Sequence, residues 1–369
     1  MKFSTSVLVA VLASVASATP IAKRQVKYLA HQVDAYELPG NSKREELLGF
    51  TNTGTRYTTD LELGSSKEKV KVMIDTASWR LNVPGPGAKC LDTEPCPTGS
   101  VFDPERSTTF HNSSIPQSSG YGRGTTKVTS FRVYDDVFFD NGDKIPQFQF
   151  DVANATSFEL GWFGIRRYSQ QDASYVYSAK KAGLINTAGY SLYLGNGDQS
   201  GTLLLGAVDS DKYEGDLAFF DNTDFEVEFD SVTTGNGQTI QIGSAIGLDS
   251  GDPEIRLNQN IVDAIYKEVG ANKDGDAPCA NVLNVNKSLK FALGGITVDV
   301  PYSDLFYRES SGSSTCGSYI TNTYATQGDQ NIGLPFVKQI YLASSFDSGT
   351  FGVAPVKHTD ESNIVDFWF

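Results

Sequence analysis

Basic residues, histidines, cysteines and long apolar runs are all scarce in this sequence of 369 residues. Lys and Arg number 30 against 44 Asp and Glu, which gives a formal net charge of −14. A phosphate backbone is bound by a basic surface, so we expect no nucleic-acid partner. The three histidines, His31, His111 and His358, leave little room for a zinc site or a Ser-His-Asp triad. Any side-chain chemistry must therefore be acidic.

The apolar run at residues 7–15 is too short to cross a bilayer, which takes about 20 residues, and no other segment comes near that length. Lys2 precedes this run, and the small residues at 16–18 follow it. That order is typical of a secretory signal peptide. We therefore predict that residues 1–18 are a signal peptide and that the protein is secreted, without a membrane span. A buried N-terminal helix is the alternative interpretation.

Two dibasic pairs follow the predicted signal peptide, Lys23-Arg24 and Lys43-Arg44. A single dibasic pair is usually solvated surface charge, but two of them behind a signal peptide are typical of processing sites that flank a pro-segment. We therefore predict a zymogen with a pro-segment at residues 19–44 and a mature chain that starts near Glu45.

The chain has only four cysteines, and an oxidising destination makes them structural by default. Four cysteines allow three pairings. Cys90 and Cys96 lie six residues apart in a segment rich in Pro and Gly, and Cys279 and Cys316 lie in the second half. Local pairing, Cys90 with Cys96 and Cys279 with Cys316, gives one bridge per half and is the pairing we favour.

Three Asn-X-Ser/Thr sequences are compatible with secretion. They begin at Asn112, Asn154 and Asn286. Each is an acceptor sequence for N-linked glycosylation, and a glycan needs an exposed position. We therefore predict that each of these asparagines lies in a surface loop.

Strand patterns dominate the sequence after residue 45. Short apolar or alternating runs bounded by Gly, Asn, Asp and Ser predict strands at 57–63, 69–74, 126–139, 147–152, 191–194 and 202–205. Asn196-Gly197 predicts a hairpin between the last two. An apolar stripe predicts one helix that is capped by Asn258 and ends at Gly270, and a short helix is predicted around 178–185. The fold is therefore mostly β.

One eight-residue pattern occurs twice. Residues 71–78 and 245–252 both read as an apolar strand that ends in Asp, followed by a hydroxyl residue and a small residue. The two aspartates, Asp75 and Asp249, are 174 residues apart, about half of the predicted mature chain. A single Asp-Ser-Gly is a common turn sequence. Two copies at equivalent places in a secreted, β-rich chain with a pro-segment are a far more specific catalytic signal.

With these paired motifs the sequence resembles the pepsin-like aspartic proteases, and among them the secreted fungal, yeast-type members. The resemblance covers nearly all of residues 45–369, in the segments 57–84, 119–139, 161–164, 190–215, 247–257 and 331–337. It implies an all-β, bilobal pepsin-like acid protease fold, with two related β-barrel-like lobes at 45–215 and 216–369 and a cleft between them. The local disulfide pairing also matches the family's arrangement.

The resemblance implies that Asp75 and Asp249 form a catalytic dyad that hydrolyses peptide bonds. Two carboxyls about 3 Å apart cannot both ionise, so one acts as a general base on a shared water while the other polarises the scissile carbonyl. The substrate would be a peptide or protein. No metal or organic cofactor is implied, and we expect a monomer.

Other residues match supporting positions of the family: Thr76, Ser78, Ser250 and Gly251. The two residues that directly follow the aspartates would form a hydroxyl network beneath the dyad, and Ser78 would hydrogen-bond the Asp75 carboxyl. Tyr121 lies between glycines and matches the tyrosine of the flap hairpin that covers substrate. A buried core tyrosine is the alternative interpretation of Tyr121.

The active-site motifs are degenerate when compared with the family pattern. Ala77 replaces a glycine, which would strain the backbone if that position required a positive φ. Asn82 replaces a tryptophan that commonly supports the flap tyrosine. Asp252 replaces a hydroxyl residue that donates to the second aspartate. An ionised Asp252 cannot donate and places like charge beside the dyad, which would confine activity to quite acidic pH.

The two glycine motifs near the aspartates also differ from one another. Residues 331–334, Asn-Ile-Gly-Leu, replace the usual hydrophobic-hydrophobic-Gly-Asp, whereas Trp162-Phe163-Gly164 keeps the hydrophobic pattern in the first half.

The prediction is a secreted aspartic endopeptidase, with activity reduced by these departures. The alternative is a catalytically impaired protein of the same fold that acts as a secreted binding or accessory factor. A cleft that serves other acid–base chemistry is a third hypothesis.

Overall fold

β-branched and aromatic residues alternate with polar residues along much of the chain, and these segments form strands that bury one or both faces. The computed structural model describes residues 26–37, 55–91, 100–121, 126–196, 199–221, 225–308, 310–322 and 330–369. Some predicted features lie outside the described residues, namely the signal peptide, both dibasic pairs, Glu45, Cys96 and Gly197. Among the described residues, no helix is long and apolar enough to cross a membrane.

Strands account for most of the regular structure. The strands up to residue 215 are β1 (Leu29–Glu37), β2 (Thr55–Leu63), β3 (Glu68–Asp75), β4 (Leu81–Cys90), β5 (His111–Tyr121), β6 (Thr126–Phe138), β7 (Lys144–Thr156), β8 (Gly161–Gly164), β9 (Gly189–Tyr193), β10 (Gly201–Leu205) and β11 (Ala207–Asp209). The later strands are β12 (Ala218–Asp221), β13 (Glu226–Thr233), β14 (Thr239–Leu248), β15 (Ile255–Arg256), β16 (Ala277–Pro278), β17 (Ser288–Leu293), β18 (Ile296–Pro301), β19 (Phe306–Arg308), β20 (Thr315–Ser318), β21 (Ile320–Thr321), β22 (Asn331–Ile332), β23 (Ile340–Ser345), β24 (Thr350–Pro355) and β25 (Ile364–Asp366).

The helices are short. They are α1 (Tyr175–Lys181), α2 (Gln259–Val269), α3 (Cys279–Val282), α4 (Tyr302–Leu305) and α5 (Leu334–Val337), with 3-10 turns at Pro104–Arg106 and Gln171–Ala173. The predicted helix that ends at Gly270 is confirmed as α2, and this glycine is left-handed at φ 73°. Asn258 precedes α2, but its side chain makes no capping hydrogen bond, so that part of the prediction is wrong. The predicted short helix starts earlier than expected because the Ser174 hydroxyl caps it.

Most of the described strands form two large sheets that build two lobes, and the others form two small sheets, β11-β25 and β16-β20-β19. Strands β2–β8 build the first lobe, and β13–β22 supply most of the second. The larger sheet has the order β12-β24-β23-β9-β10-β1-β2-β3-β8-β4-β7-β6-β5, so strands from near the C-terminus pair with strands of the first half. The predicted all-β, bilobal fold is confirmed, and the predicted strands lie within those observed or overlap them.

Strand β1 is an integral part of the larger sheet, although it falls within the predicted pro-segment. It pairs antiparallel with β10 on one side and with β2 on the other. Val33 is fully buried, and Leu29 and His31 are nearly so. The His31 ring contacts the hydroxyl of Tyr175 at 3.1 Å. Complete removal of residues 19–44 would therefore expose two strand edges and part of the core.

The structure confirms some of the predictions for the cysteines and sequons and contradicts others. The predicted Cys279–Cys316 disulfide is confirmed, with 5.0 Å between the Cα atoms, and Cys90 is also disulfide-bonded. All three sequon asparagines are exposed. However, Asn112 lies on β5 and Asn154 on β7, and only Asn286 lies in a loop as predicted.

Candidate active site

The two aspartate motifs fold in the same way in each lobe. Strand β3 ends at Asp75 and runs parallel to β8, which in turn pairs antiparallel with β4. Strand β14 ends just before Asp249 and runs parallel to β22, which pairs antiparallel with β15. The residues that precede the aspartates, Ile74 and Leu248, are fully buried. Each aspartate therefore stands at the buried end of a strand that is held on a parallel neighbour.

The residues after the aspartates join the two lobes through four hydrogen bonds. The Thr76 hydroxyl donates to the carbonyl of Leu248 (2.7 Å) and accepts from the backbone N–H of Ser250 (2.9 Å). In return, the Ser250 hydroxyl donates to the carbonyl of Ile74 (2.7 Å) and accepts from the N–H of Thr76 (3.1 Å). Both side chains are fully buried. The two turns are therefore held face to face by reciprocal bonds, as the resemblance predicts.

Gly251 lies where the two carboxyls come close together. A Cβ atom at this position would lie 2.9 Å from Cγ of Asp75 and 3.1 Å from Oδ1 of Asp249. Both carboxyls thus reach the same point next to the Gly251 backbone. Only glycine fits there without displacing one of them.

Asp75 is 3% exposed and is surrounded by N–H donors. Its Oδ1 accepts the backbone N–H groups of Ala77 (2.8 Å) and Ser78 (3.1 Å), and its Oδ2 accepts the indole N–H of Trp162. The Ser78 hydroxyl has no hydrogen-bond partner among the described residues, so the predicted bond from this hydroxyl to Asp75 is not formed. Ala77 does not have a positive φ, so the strain expected from the missing glycine does not arise.

Asp249 has fewer donors and more negative neighbours. Its Oδ1 accepts the N–H of Gly251 (2.8 Å), and its Oδ2 accepts the side-chain amide of Asn331 (3.3 Å). Burial raises the pKa of Asp249 well above its usual value, and the charges of Asp75 and Asp252 raise it further. The Gly251 N–H offsets part of this rise. Asp249 therefore keeps its proton to a higher pH than an ordinary aspartate does.

Comparison with known proteins agrees with this geometry. A family model described as eukaryotic aspartyl protease matches residues 56–356, which is most of the chain. The chain belongs to this family.

The aspartyl protease has relatives of similar length among fungal proteases. An acid protease of Saccharomycopsis fibuligera is 27% identical, over 97% of this chain and 100% of the relative. Candidapepsin of Candida tropicalis is 30% identical, over 85% of this chain and 82% of the relative. Secreted aspartic protease 8 of Candida albicans is 28% identical, over 88% and 82% of the two chains.

In this aspartyl protease the indole of Trp162 takes an unexpected place. Trp162 lies on β8 directly opposite Asn82 of β4, and it packs on Phe158 with 4.1 Å between the ring centres. Asn82 is buried, with its amide 3.4 Å from the Ser130 hydroxyl. The indole therefore comes from the strand opposite the position where the family pattern has a tryptophan. The motif of Trp162 reads as simply hydrophobic, so the sequence did not indicate this donor.

Asp252 is buried beside the dyad, but it is not an isolated negative charge. Its Oδ2 forms an ion pair with Arg256 (2.5 Å) and accepts the amide of Asn331 (2.7 Å). Its Oδ1 accepts the backbone N–H of Glu254 (2.9 Å). Sequence reasoning identified Asp252 as a like charge and missed Arg256, four residues later. A search for a cation near the substituted position would have found it.

A second acidic group of the aspartyl protease lies close to this ion pair. Glu254 lies 3.9 Å from the Arg256 guanidinium, and its side chain is 15% exposed. Burial and the charge of Asp252 raise the pKa of Glu254 to about 7, against the opposing charges of Arg256 and Arg56. Burial lowers the pKa of Arg256, but the neighbouring carboxylates outweigh it and the net shift is upward. This side of the site is therefore a buried network of charges.

The predicted flap is a hairpin of β5 and β6. Tyr121 ends β5 and pairs with Thr126, but its side chain lies outside the described residues. The Gln117 side chain on β5 accepts hydrogen bonds from Arg80 (2.8 Å) and Arg132 (2.9 Å). These arginines thus fix the base of the hairpin next to the loop that follows Asp75.

No group of three or more His, Cys, Asp or Glu side chains in the described part of the aspartyl protease is arranged to hold a metal ion. With one proton shared between Asp75 and Asp249, such a pair can act as a general base and a general acid together.

Proposed function

We propose that this aspartyl protease is a secreted endopeptidase that hydrolyses peptide bonds at acidic pH through Asp75 and Asp249. The observation that carries the proposal is the set of reciprocal bonds between Thr76 and Ser250, because these bonds hold two carboxyls from opposite lobes at one point. Relatives named as acid and secreted proteases support it. Peptides and proteins are the proposed substrates, and a monomer is the proposed active form.

The two carboxyls take different roles in the proposed reaction. Three N–H donors hold the Asp75 carboxyl in place, and in the proposed reaction this carboxyl takes a proton from the shared water as that water attacks the scissile carbonyl carbon. Asp249 gives its proton to the carbonyl oxygen, and a gem-diol forms. The diol returns a proton to Asp249 as the C–N bond breaks, and Asp75 protonates the leaving nitrogen. One water is consumed, and no acyl-enzyme forms.

We also propose that the mature protease keeps strand β1. Strand β1 pairs on both edges and buries Val33 and Leu29, each of which contributes roughly 1.5–3 kcal/mol of hydrophobic stabilisation. A cut at Lys23-Arg24 leaves β1 attached to the mature chain, whereas loss of all of residues 19–44 removes it. The pro-segment proposed here is therefore shorter than the sequence pattern predicts.

One observation favours the alternative function, a binding or accessory factor without hydrolysis. The indole of Trp162 donates to Oδ2 of Asp75, an oxygen that the shared water needs. If the indole holds this oxygen throughout the catalytic cycle, the site binds a peptide but does not activate water. The two functions therefore differ in whether the Trp162 indole yields to water.

A cleavage assay tests the proposed function. The secreted, processed protein is incubated with an unfolded protein substrate from about pH 2 to about pH 6, with and without pepstatin. We expect cleavage that pepstatin blocks, and a loss of at least about a hundredfold in Asp75→Asn, since a general base is removed. Asp299→Asn is the matched control, because Asp299 is an exposed carboxylate on β18 paired with Lys290. An inert wild-type protein that binds peptide as well as Asp75→Asn does would instead establish the accessory function.

A further inference from the structure

The Oδ2 atom of each active-site carboxyl accepts a hydrogen bond from a side chain on the neighbouring parallel strand. In the first lobe Trp162 lies opposite Met73 in the β3–β8 register, and in the second Asn331 lies opposite Gly247 in the β14–β22 register. Met73 and Gly247 each lie two residues before an aspartate, so the two donors occupy equivalent places. The hydroxyl donors expected three residues after each aspartate are absent, because the Ser78 hydroxyl makes no hydrogen bond among the described residues and position 252 is an aspartate.

The amide of Asn331 is placed between two carboxyls. Its Nδ2 lies 3.3 Å from Oδ2 of Asp249 and 2.7 Å from Oδ2 of Asp252, and the side chain is 8% exposed. An amide nitrogen has two hydrogens and no lone pair to accept with, so this atom can serve both carboxyls at once. The carboxyl oxygens on both sides fix which way the amide points.

Asp252 is itself held from several directions. Arg256 pairs with the oxygen that accepts the Asn331 amide, and the backbone of Glu254 donates to the other oxygen. The carbonyl of Asp252 accepts the N–H of Leu334 (2.8 Å), which lies three residues after Asn331. The segment that carries Asn331 and the segment that carries Asp252 are thus joined by both backbone and side chains.

We propose that Asn331 is a positioning residue for Asp249 and that the Asp252–Arg256 ion pair orients its amide. This inference rests on the proposed function, since it assigns Asn331 the task of the missing hydroxyl donor. Asp249 becomes negative when it gives its proton to the substrate carbonyl. A donor on Oδ2 stabilises that charged form and holds the carboxyl in place for the next proton transfer.

The charged groups that face Asp249 set the expected direction of a pH effect. Asp75 and Asp252 oppose the loss of its proton, while Arg256 and the Gly251 N–H favour it. Removal of the Asn331 donor takes away one group that favours the ionised form. The pH at which activity falls on the alkaline side should therefore rise.

The first test is Asn331→Leu, which restores the hydrophobic residue of the family pattern. A hydrogen bond to a charged group contributes about 1.5–3 kcal/mol, so kcat should fall about ten- to a hundredfold. KM should change by less than about threefold, because the donor acts on the carboxyl and not on the substrate. The alkaline limb of the pH profile should move to higher pH.

Rescue separates positioning from a general structural role. The triple variant Asn331→Leu, Asp252→Thr, Arg256→Leu supplies a hydroxyl at the expected position and leaves no unpaired guanidinium. It should recover most of the lost kcat. The matched control is Glu268→Thr, which removes a buried carboxylate in the last turn of α2 that is paired with Lys287. This control should lower stability and leave the pH profile unchanged.

A second measurement does not need activity. The free energy of unfolding is measured against pH for wild type, Asn331→Leu, Asp249→Asn and the double variant. The folded-state pKa of Asp249 is raised, so its effect on folding is unfavourable above about pH 4, the unfolded value. Asn331→Leu should enlarge this loss as pH rises, and Asp249→Asn should abolish the pH-dependent part of the change.

The outcomes distinguish the two proposals. An active wild type whose kcat and pH profile are unchanged in Asn331→Leu would overturn the role of Asn331 and leave the proposed function standing. An inert wild type would overturn the proposed function, and the unfolding measurement would then decide the role of Asn331. If Asn331→Leu changed the pH dependence of unfolding equally in wild type and in Asp249→Asn, the role of Asn331 would be overturned. If the change disappeared in Asp249→Asn, that role would be supported.

Discussion

The turn that carries Asp75 and the turn that carries Asp249 hold equivalent places in the two lobes but lie in different electrostatic surroundings. Both end a buried strand, and both are joined to the other lobe through a hydroxyl. Around Asp75 the donors are two backbone N–H groups and a neutral indole. Around Asp249 lie a second carboxylate, an arginine and an amide.

This difference suggests how a symmetrical fold can assign two roles to one kind of residue. The equivalent backbone arrangement of the two lobes brings the carboxyls together, although the side chains around the two aspartates differ. Burial raises the pKa of Asp249, and the charges of Asp75 and Asp252 raise it further, so this carboxyl keeps its proton to a higher pH than an ordinary aspartate does. Three experiments test how far the symmetry and the asymmetry extend.

The largest effect is expected from Gly251→Ala. The new methyl carbon would lie 2.9 Å from Cγ of Asp75, so one carboxyl must move, and a displacement of about 1 Å at reacting atoms can cost a hundredfold in rate. We expect kcat to fall by about that factor in a cleavage assay at acidic pH. Ala77→Gly is the matched control in the other lobe, and it should change kcat by less than about threefold because the N–H bond to Asp75 remains. Equal losses in both variants would contradict this comparison.

An intermediate effect is expected from breaking the reciprocal bonds. Thr76→Val leaves the Leu248 carbonyl and the Ser250 N–H without these partners, and Ser250→Ala does the same to the Ile74 carbonyl and the Thr76 N–H. A buried unsatisfied group costs about 1–3 kcal/mol, so each variant should lose about 2–5 kcal/mol of unfolding free energy. Denaturant unfolding at one pH checks this. A loss confined to one variant would show that the bonds are not energetically symmetrical.

The smallest effect is expected from Glu254→Gln, and it depends on pH. The folded-state pKa of Glu254 is raised to about 7, so wild type loses stability as pH rises from about 4.5 to about 7. Glu254→Gln should not lose stability over this range. Its free energy of unfolding relative to wild type should therefore increase by on the order of 2 kcal/mol between acidic pH and about pH 8.

Glu268→Gln is the opposite control for this pH effect. Burial alone would raise the pKa of Glu268, but hydrogen bonds from Thr234, Tyr302 and the Asn236 backbone lower it overall. Its contribution to stability is therefore present at neutral pH and lost on acidification, and the control should lose stability relative to wild type as pH rises. The same pH trend in both variants would contradict the assignment for Glu254.

Much of the fold and the centre of the site could be predicted from local patterns. Strand alternation and the repeated Asp-hydroxyl-small motif are local in sequence. The alternation predicted the β architecture, and the family resemblance that the repeated motif carries implied the hydroxyl network of Thr76 and Ser250. The resemblance also assumed that Ser78 would use its hydroxyl. In the structure the backbone N–H of Ser78 does the donating instead, since it already lies 3.1 Å from the carboxyl.

The features that sequence reasoning missed arise from contacts between strands that are distant in the chain. The sequence around Trp162 is typical of a core residue. Its indole N–H donates to Asp75 only because the strand register places Trp162 opposite Asn82 and next to the Asp75 carboxyl. Arg256 reads as an ordinary strand residue, and only its pairing with Asp252 removes the expected excess of negative charge. Strand β1 lies between two dibasic pairs, and this sequence pattern predicts that proteolysis removes the segment. In the structure β1 instead pairs with a strand on each side, as a strand of the mature protein would.

The large sheet also determines when the site can exist during synthesis. Strand β9 pairs with β23 at residues 340–345, and Asp249 is supported by β22 at residues 331–332. A nascent chain that ends just after Asp249 therefore already contains β3 and β8, which support Asp75, but it lacks the strand that supports Asp249. The support of the second carboxyl is complete only after residues 331–332 have been synthesised, so the chain does not carry a fully supported dyad while the segment between Asp249 and β22 is being translated.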